Sequence, residues 1–217
     1  MNAIYKSENF IVCVKPAGIL STDEPGGMPQ LVREYLGDGR AEVRTVHRLD
    51  RVVSGLMVLA LNADAASELS RQLRDDEFRK CYVAVVHGKL PHKTGRMTDL
   101  LLRSRSERKT YVVTEPARDV KEAILDYEVL RETDSLSMVA IRLVTGRTHQ
   151  IRCQFSSRGL PILGDRKYST LEDGCDIALW SYSLGFTDPG TGRFMSFRAM
   201  PPKEYPWSEF DAAAFPK

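Results

Sequence analysis

Ser54-Gly55-Leu56-Met57-Val58-Leu59-Ala60-Leu61-Asn62 is the stretch on which the reading of this chain turns. Its apolar run, Leu56–Leu61, reads as a buried strand bounded by Ser54-Gly55 and Asn62. A helix follows at once. Asn62 fits the N-cap, and Ala65, Ala66, Leu69 and Leu73 recur at helical spacing. Arg79–Val86 is rich in β-branched residues, reads as a strand and stops at His87-Gly88. Upstream, Phe10–Val14 reads as a short strand ended by Pro16-Ala17-Gly18, and Glu24–Pro29 reads as a loop from its prolines and glycines.

Downstream, Ile124–Leu130 and Leu136–Val144 read as strands joined by a hairpin turn. Thr148 is the expected N-cap of a helix that carries Ile151 and Phe155 on one face and ends at Gly159. Ala178, Trp180, Tyr182, Leu184 and Phe186 alternate at period two, the pattern of a half-buried strand. The turn Asp188–Gly192 leads into a last strand, Phe194–Arg198, and Pro201-Pro202 and Pro206-Trp207 mark an irregular tail. Strands outnumber helices and short turns join many of them. The expected class is therefore α+β, with a mainly antiparallel sheet flanked by helices and loops. No linker or repeat interrupts the chain, so residues 1–217 read as a single domain.

The composition sets outer limits. Of 217 residues, 42% are hydrophobic and 28% charged, which favours a folded core over disorder. No apolar run approaches the ~20 residues of a membrane helix, so no membrane association is expected. Met1-Asn2-Ala3-Ile4-Tyr5-Lys6 lacks the charged start and apolar stretch of a secretory signal. Cys13, Cys81, Cys153 and Cys175 stand far apart, with no C-x-x-C pair. That spacing argues against structural zinc and disulfides, for a reducing cytoplasm, and for cysteines used as small core residues.

Net charge is only +2, from 31 basic and 29 acidic residues, but the charge is unevenly spread. Lys93, Arg96, Arg103, Arg105, Arg108 and Lys109 face only Asp99 and Glu107 in their segment. Arg142, Arg147, Arg152, Arg158, Arg166 and Lys167 face Asp165 alone. Two basic segments in a near-neutral chain fit one polyanion-binding face, and equally an ordinary solvated surface.

Three constellations could carry chemistry. In His47-Arg48-Leu49-Asp50-Arg51, adjacent guanidiniums favour the charged form of the carboxylate, so Asp50 suits a nucleophile or base near an anionic substrate; an Arg–Asp pair that merely fixes the loop is the plainer alternative. Thr145-Gly146-Arg147-Thr148-His149-Gln150-Ile151-Arg152 brings two arginines to a helix start, a corner suited to phosphate. His149 is either catalytic or a polar structural residue there. In Arg79-Lys80-Cys81-Tyr82-Val83-Ala84, Tyr82 shares a strand face with Ala84 and Val86, as a packing residue or a functional one. A hydrolase triad built on histidine and serine lacks the G-x-S-x-G elbow.

Together these segments resemble the RluA-type pseudouridine synthases. His47–Asp50 with Ser54-Gly55-Leu56 is similar to that family's catalytic-aspartate motif, Arg79–Ala84 to its tyrosine strand, and Thr145–Arg152 to its arginine motif. Val14-Lys15-Pro16-Ala17-Gly18 and Ile162-Leu163-Gly164-Asp165 with Tyr168 are smaller echoes, so the match runs from about residue 4 to about residue 202. Two departures stand out. Val53 replaces the usual threonine, and Leu179-Trp180-Ser181 replaces Leu-His-Ala, which would alter the pocket wall or the RNA edge it faces.

The resemblance implies a stand-alone catalytic domain, without an S4-like domain, that isomerises a uridine of structured RNA, an rRNA or tRNA stem-loop. It implies no metal and no cofactor, and a monomer without an obligate protein partner. Asp50 would be the essential carboxylate, attacking C1′ or removing the C2′ proton. Tyr82 would pack on the uracil, its hydroxyl a candidate for proton transfer at C5, and Arg147 would pair with Asp50. The target base must be flipped out, with Arg48 filling its place and His47 nearby on the substrate side. Ile151 would wall the base and Arg152 would lie near a phosphate. Arg103, Arg105, Arg108 and Lys109 would belong to a mobile loop that clamps the RNA.

Overall fold

A computed structural model of the chain describes residues 1–216. In chain order the first half holds strands β1 (Asn2–Lys6) and β2 (Phe10–Lys15), helix α1 (Met28–Leu36), strands β3 (Arg44–Thr45) and β4 (Ser54–Ala60), and helix α2 (Ala63–Arg74). There follow β5 (Arg79–His87), β6 (Thr94–Ser104), β7 (Lys109–Val113), β8 (Val120–Glu132) and β9 (Leu136–Leu143), then α3 (Gln150–Ser156), β10 (Leu179–Thr187) and β11 (Phe194–Arg198). Short 3-10 turns at Trp207–Glu209 and Ala212–Ala214 end the described chain, with Trp207, Phe210 and Phe215 buried. The architecture is α+β.

The chain forms two compact units, Met1–Lys80 with Trp180–Pro201, and 81–179 with 202–216. In the first, β2 is flanked by antiparallel β1 and β4, while β10 pairs with β4 in parallel and with β11 antiparallel. The all-apolar run in β4 is explained by burial on both faces. Leu56, Val58 and Ala60 join Phe10, Val12, Leu69, Leu184 and Phe186 in one core cluster. Met57 and Leu59 face the other way, against Ile11, Cys13, Met28 and Val32. Asn62 caps α2 through its side chain, which accepts from the Ala65 N–H at 2.8 Å.

In the second unit the order is β5-β9-β8-β6-β7, each neighbour antiparallel. The long strand β8 joins the β5–β9 pair to the β6–β7 hairpin, and α3 packs Phe155 against Tyr127 of β8.

Several expectations need correction. The stretch Glu24–Pro29 is not all loop, because α1 begins at Met28 with Pro29 in its first turn, where a missing N–H costs nothing. The cap of α3 is His149, not Thr148, and the helix stops at Ser156, with a further turn closing at Gly159. The strand β10 is buried on both faces rather than one. Small Ser181 and Gly185 occupy its second face, and Gly55, at φ +116°, lies so close that a Cβ there would meet the Ser181 backbone nitrogen at 2.5 Å. Cys13 and Cys153 are core residues as expected, but Cys81 and Cys175 are only half-buried.

Candidate active site

Asp50 sits in the loop before β4, half-buried, with its backbone oxygen accepting from Val53 N–H at 3.0 Å. Both its neighbours are pinned. The Ser21 hydroxyl donates to the Leu49 carbonyl (2.8 Å) and accepts from the Leu49 N–H (3.0 Å). On the other side, the Arg51 carbonyl accepts from Gly18 N–H at 2.8 Å and from the Lys15 ammonium at 3.1 Å. Lys15 is fully buried and also donates to the carbonyls of Ile19 (2.7 Å) and Pro16 (2.9 Å). Burial pulls its ammonium down to about 8, with the Asp50 charge opposing that fall. A cation without solvent is tolerable here because three oxygens surround it. Neither Lys15 nor Ser21 was assigned a role from the sequence. A lysine ending an apolar strand, just before Pro16, was the available signal.

The residues flanking Asp50 divide by alternation. Arg48 is exposed, between buried His47 and Leu49. His47, expected on the substrate side, is instead a structural residue. Its Nε2 accepts from the Val58 N–H of β4 at 3.2 Å, and its ring lies 5.7 Å from that of Phe78. Burial, with Lys80 nearby, drives its pKa down to about 3, so the imidazole is neutral and serves as an acceptor. Val53, where the resemblance expects threonine, is buried, and Trp180 is buried with its indole N–H donating to the Ala199 carbonyl at 2.8 Å.

In the second unit Tyr82 lies on β5, 6% exposed, opposite Ile141 of β9. The arginine loop between β9 and α3 is built on Gln150. Its Oε1 accepts from the Thr145 hydroxyl (2.8 Å) and from the Arg147 N–H (2.9 Å), while its Nε2 donates to the Ile124 carbonyl (3.0 Å). This holds exposed Arg147, whose Nε donates to the Glu122 carbonyl at 2.9 Å. Ile151 is buried.

Arg152, expected near a phosphate, is 4% exposed and bonds both oxygens of buried Asp165, at 2.8 and 2.7 Å. A guanidinium so far from water needs a carboxylate partner, and Asp165 supplies one. The basic segment expected to be a mobile loop is largely regular. Arg103 lies in β6 opposite Thr110, Lys109 begins β7 opposite Ser104, which ends β6, and only residues 105–108 form the turn. Arg103, Arg105 and Arg108 are exposed, whereas Lys109 lies over the rings of Tyr168 (5.0 Å) and Tyr111 (5.6 Å). Among the described residues no cluster of histidine, cysteine and carboxylate could hold a metal, and no helix is long and apolar enough to cross a membrane.

A family model described as RNA pseudouridylate synthase matches residues 9–157. Among curated proteins, the chain is 32% identical over 215 residues to an uncharacterised RNA pseudouridine synthase, YlyB, of Bacillus subtilis, covering 94% of this chain and 70% of that protein. It is 34% identical over 213 residues to the dual-specificity RNA pseudouridine synthase RluA of Escherichia coli, covering 90% of this chain and 91% of the relative. Among solved structures, human RNA pseudouridylate synthase domain containing 1 superposes with a TM-score of 0.79 at 22% identity, over 93% of this chain and 83% of that one. Human RNA pseudouridylate synthase domain containing 4 gives 0.77, also at 22%, over 93% and 89%. The structural likeness carries the fold, and the sequence matches carry the family across nearly the whole chain: it is a member of the RNA pseudouridylate synthase family.

Proposed function

We propose that Asp50 is the essential carboxylate in the isomerisation of one uridine of a folded rRNA or tRNA to pseudouridine, with Tyr82 and Arg147 serving the same nucleotide. Family membership supplies the reaction. The observation that carries the assignment of Asp50 is the clamping of its neighbours, Leu49 by Ser21 and Arg51 by Lys15 and Gly18, in a loop whose side chain at 50 is only half-buried. A fixed backbone presenting a reachable carboxylate is what a positioned catalytic group needs, since misplacement by about 1 Å can cost about 10²-fold in rate.

The reaction conserves every atom. The N1–C1′ bond breaks, the uracil turns while bound, C5 bonds to C1′, the C5 proton leaves and N1 gains one. Asp50 serves either by attacking C1′ or by taking the C2′ proton. Tyr82 supplies a ring for the uracil, and its hydroxyl is the candidate to move the C5 proton. Ile151 adds apolar wall. Because C1′ and C5 are shielded in a stacked duplex, the nucleotide is flipped out at a cost of a few kcal/mol. Exposed Arg48 then occupies the space left behind, and Arg103, Arg105, Arg108 and Lys109 grip the phosphates nearby. Arg152 positions its own loop instead of touching RNA. The chain acts as one catalytic domain, a monomer without an obligate protein partner, in the cytoplasm.

Asp50→Asn tests the assignment, because it removes the charge and hardly changes the volume. On a pool of in vitro transcripts of rRNA and tRNA, single-turnover pseudouridine yield, read by carbodiimide labelling, should fall below detection. RNA affinity should stay within about tenfold, since phosphate contacts dominate it. A variant that converts uridine at near the wild-type rate would overturn the role of Asp50.

A further inference from the structure

The segment Asp165–Tyr168 does more than close the turn after α3. The Tyr168 hydroxyl accepts from the backbone N–H of Thr110, on β7, at 2.8 Å, and lies 2.9 Å from Nδ1 of His149. The Thr110 hydroxyl donates in turn to the Thr148 carbonyl at 3.0 Å. Three hydrogen bonds thus tie the base of the basic hairpin to the loop that carries Arg147. The ring shares in the same junction. Lys109 stands 5.0 Å from its centroid and Arg152 5.2 Å, while the Ser156 hydroxyl donates to the Tyr168 carbonyl at 2.8 Å.

The junction also holds a backbone that would not adopt its conformation unaided. His149 has φ +55°, the left-handed region, where a histidine persists only if its surroundings hold it. Its ring meets that of Tyr168 edge to face, 5.6 Å apart at 89°. His149 is two residues beyond Arg147, whose N–H is fixed by Gln150. His149 stands between Arg147 and Gln150, so a backbone turn there would displace the acceptor that holds the Arg147 N–H. Thr110 is likewise next to Lys109, and its register partner is Arg103.

We propose that Tyr168 is a positioning residue that couples the basic hairpin to the Arg147 loop, so that RNA seated on the hairpin sets the working geometry of that arginine. The inference rests on the reading of Arg147 and the hairpin given above. Tyr168 does not touch substrate. It acts through the Thr110 N–H and the His149 imidazole, one on each of the two segments.

Tyr168→Phe is the test, because it keeps the ring under Lys109 and Arg152 and removes only the hydroxyl. In the RNA-free protein, amide hydrogen exchange in residues 103–113 should rise about tenfold, with α2 unchanged. On the pooled rRNA and tRNA transcripts, the single-turnover rate at saturating RNA should fall about tenfold, while half-saturation moves less than threefold. Combined with His149→Ala, the rate should stay within about twofold of the slower single variant, since both break one linkage. Any of three results overturns the coupling: unchanged exchange in the hairpin, a saturating rate within twofold of wild type, or losses that multiply in the double variant. Wild-type protein that forms no pseudouridine on any transcript would instead overturn the functional reading, and the exchange result would then decide the coupling alone.

Discussion

Replacing Lys15 by methionine should separate the stability of the first unit from the positioning of Asp50. Two opposed effects on stability can be sized. Burial draws the ammonium from its ordinary 10.5 to about 8, which at neutral pH is about 3 kcal/mol of unfavourable burial that methionine escapes. Against this, the Pro16 and Ile19 carbonyls lose their donor, at roughly 1–3 kcal/mol each. The Arg51 carbonyl is spared, because Gly18 N–H still reaches it at 2.8 Å. The net should lie between a gain of about 1 and a loss of about 3 kcal/mol. Turnover should suffer far more. With the cation gone, one of the two anchors beside Asp50 is halved, and a loop free to shift by about 1 Å loses roughly 10²-fold in rate.

Urea melts and single-turnover pseudouridine assays on one preparation read both effects. A loss above about 4 kcal/mol would make Lys15 a support of the whole unit, and unchanged turnover would refute the clamp. The pH dependence has a definite sign. A folded-state value of about 8 means that between pH 8 and 10.5 the unfolded chain binds more protons than the folded one. The burial penalty is thus fully present below pH 8 and relieved as pH rises through that window. Wild-type stability should gain up to about 1.4 kcal/mol per pH unit relative to Lys15→Met. Turnover should move the other way, falling with a midpoint near 8 in wild type and not in the variant, since the neutral amine has fewer protons for three carbonyls.

Neutralising Arg103, Arg105, Arg108 and Lys109 together should weaken RNA binding and lower the log–log salt slope by roughly 0.7–0.9 for each phosphate that the protein no longer neutralises; an unchanged slope would remove the hairpin from the RNA interface. Arg152→Met should cost about 3–5 kcal/mol by stranding the buried Asp165 carboxylate, while Arg152→Met with Asp165→Leu should restore most of that stability in a denaturant melt. If the double variant is as unstable as the single one, the cost lies in packing and the charge argument fails.

How much of this was legible beforehand varied with the kind of signal. The strand β4 and the start of helix α2 are legible in the sequence, because an all-apolar run and a capping asparagine are local statements. The helix α1 was missed although Met28, Leu31, Val32 and Leu36 share a face and Gly37 ends it, since the breakers Pro25-Gly26-Gly27 drew the loop two residues too far. The strands β6 and β7 were hidden by their own chemistry. They place charges such as Asp99 and Arg103 among leucines, and only pairing with β8 explains the pattern. His47 was misassigned because nearness in sequence to Asp50 hid the alternation that turns it inward, toward the Val58 N–H.

Charge was the least legible property, because each charge's fate depends on a partner distant in the chain. Lys93 pairs with Glu132, Arg96 and Arg142 with Asp126, Arg158 with Asp99, and Arg152 with Asp165. In sequence these five basic residues swell the two positive segments, yet each is matched by a carboxylate 13 or more residues away. Setting them aside leaves seven: Arg103, Arg105, Arg108 and Lys109 on the hairpin, Arg147, and Arg166 with Lys167. The even odds that composition allowed for a polyanion face therefore shift for a geometric reason. A salt bridge that spans strands neutralises a charge locally, whereas the two arginines of the turn 105–108 share one carboxylate, Glu107, which is also bonded to Tyr111. The number of ions released on RNA binding should accordingly stay at or below these seven, well short of the twelve basic residues that the two segments contain.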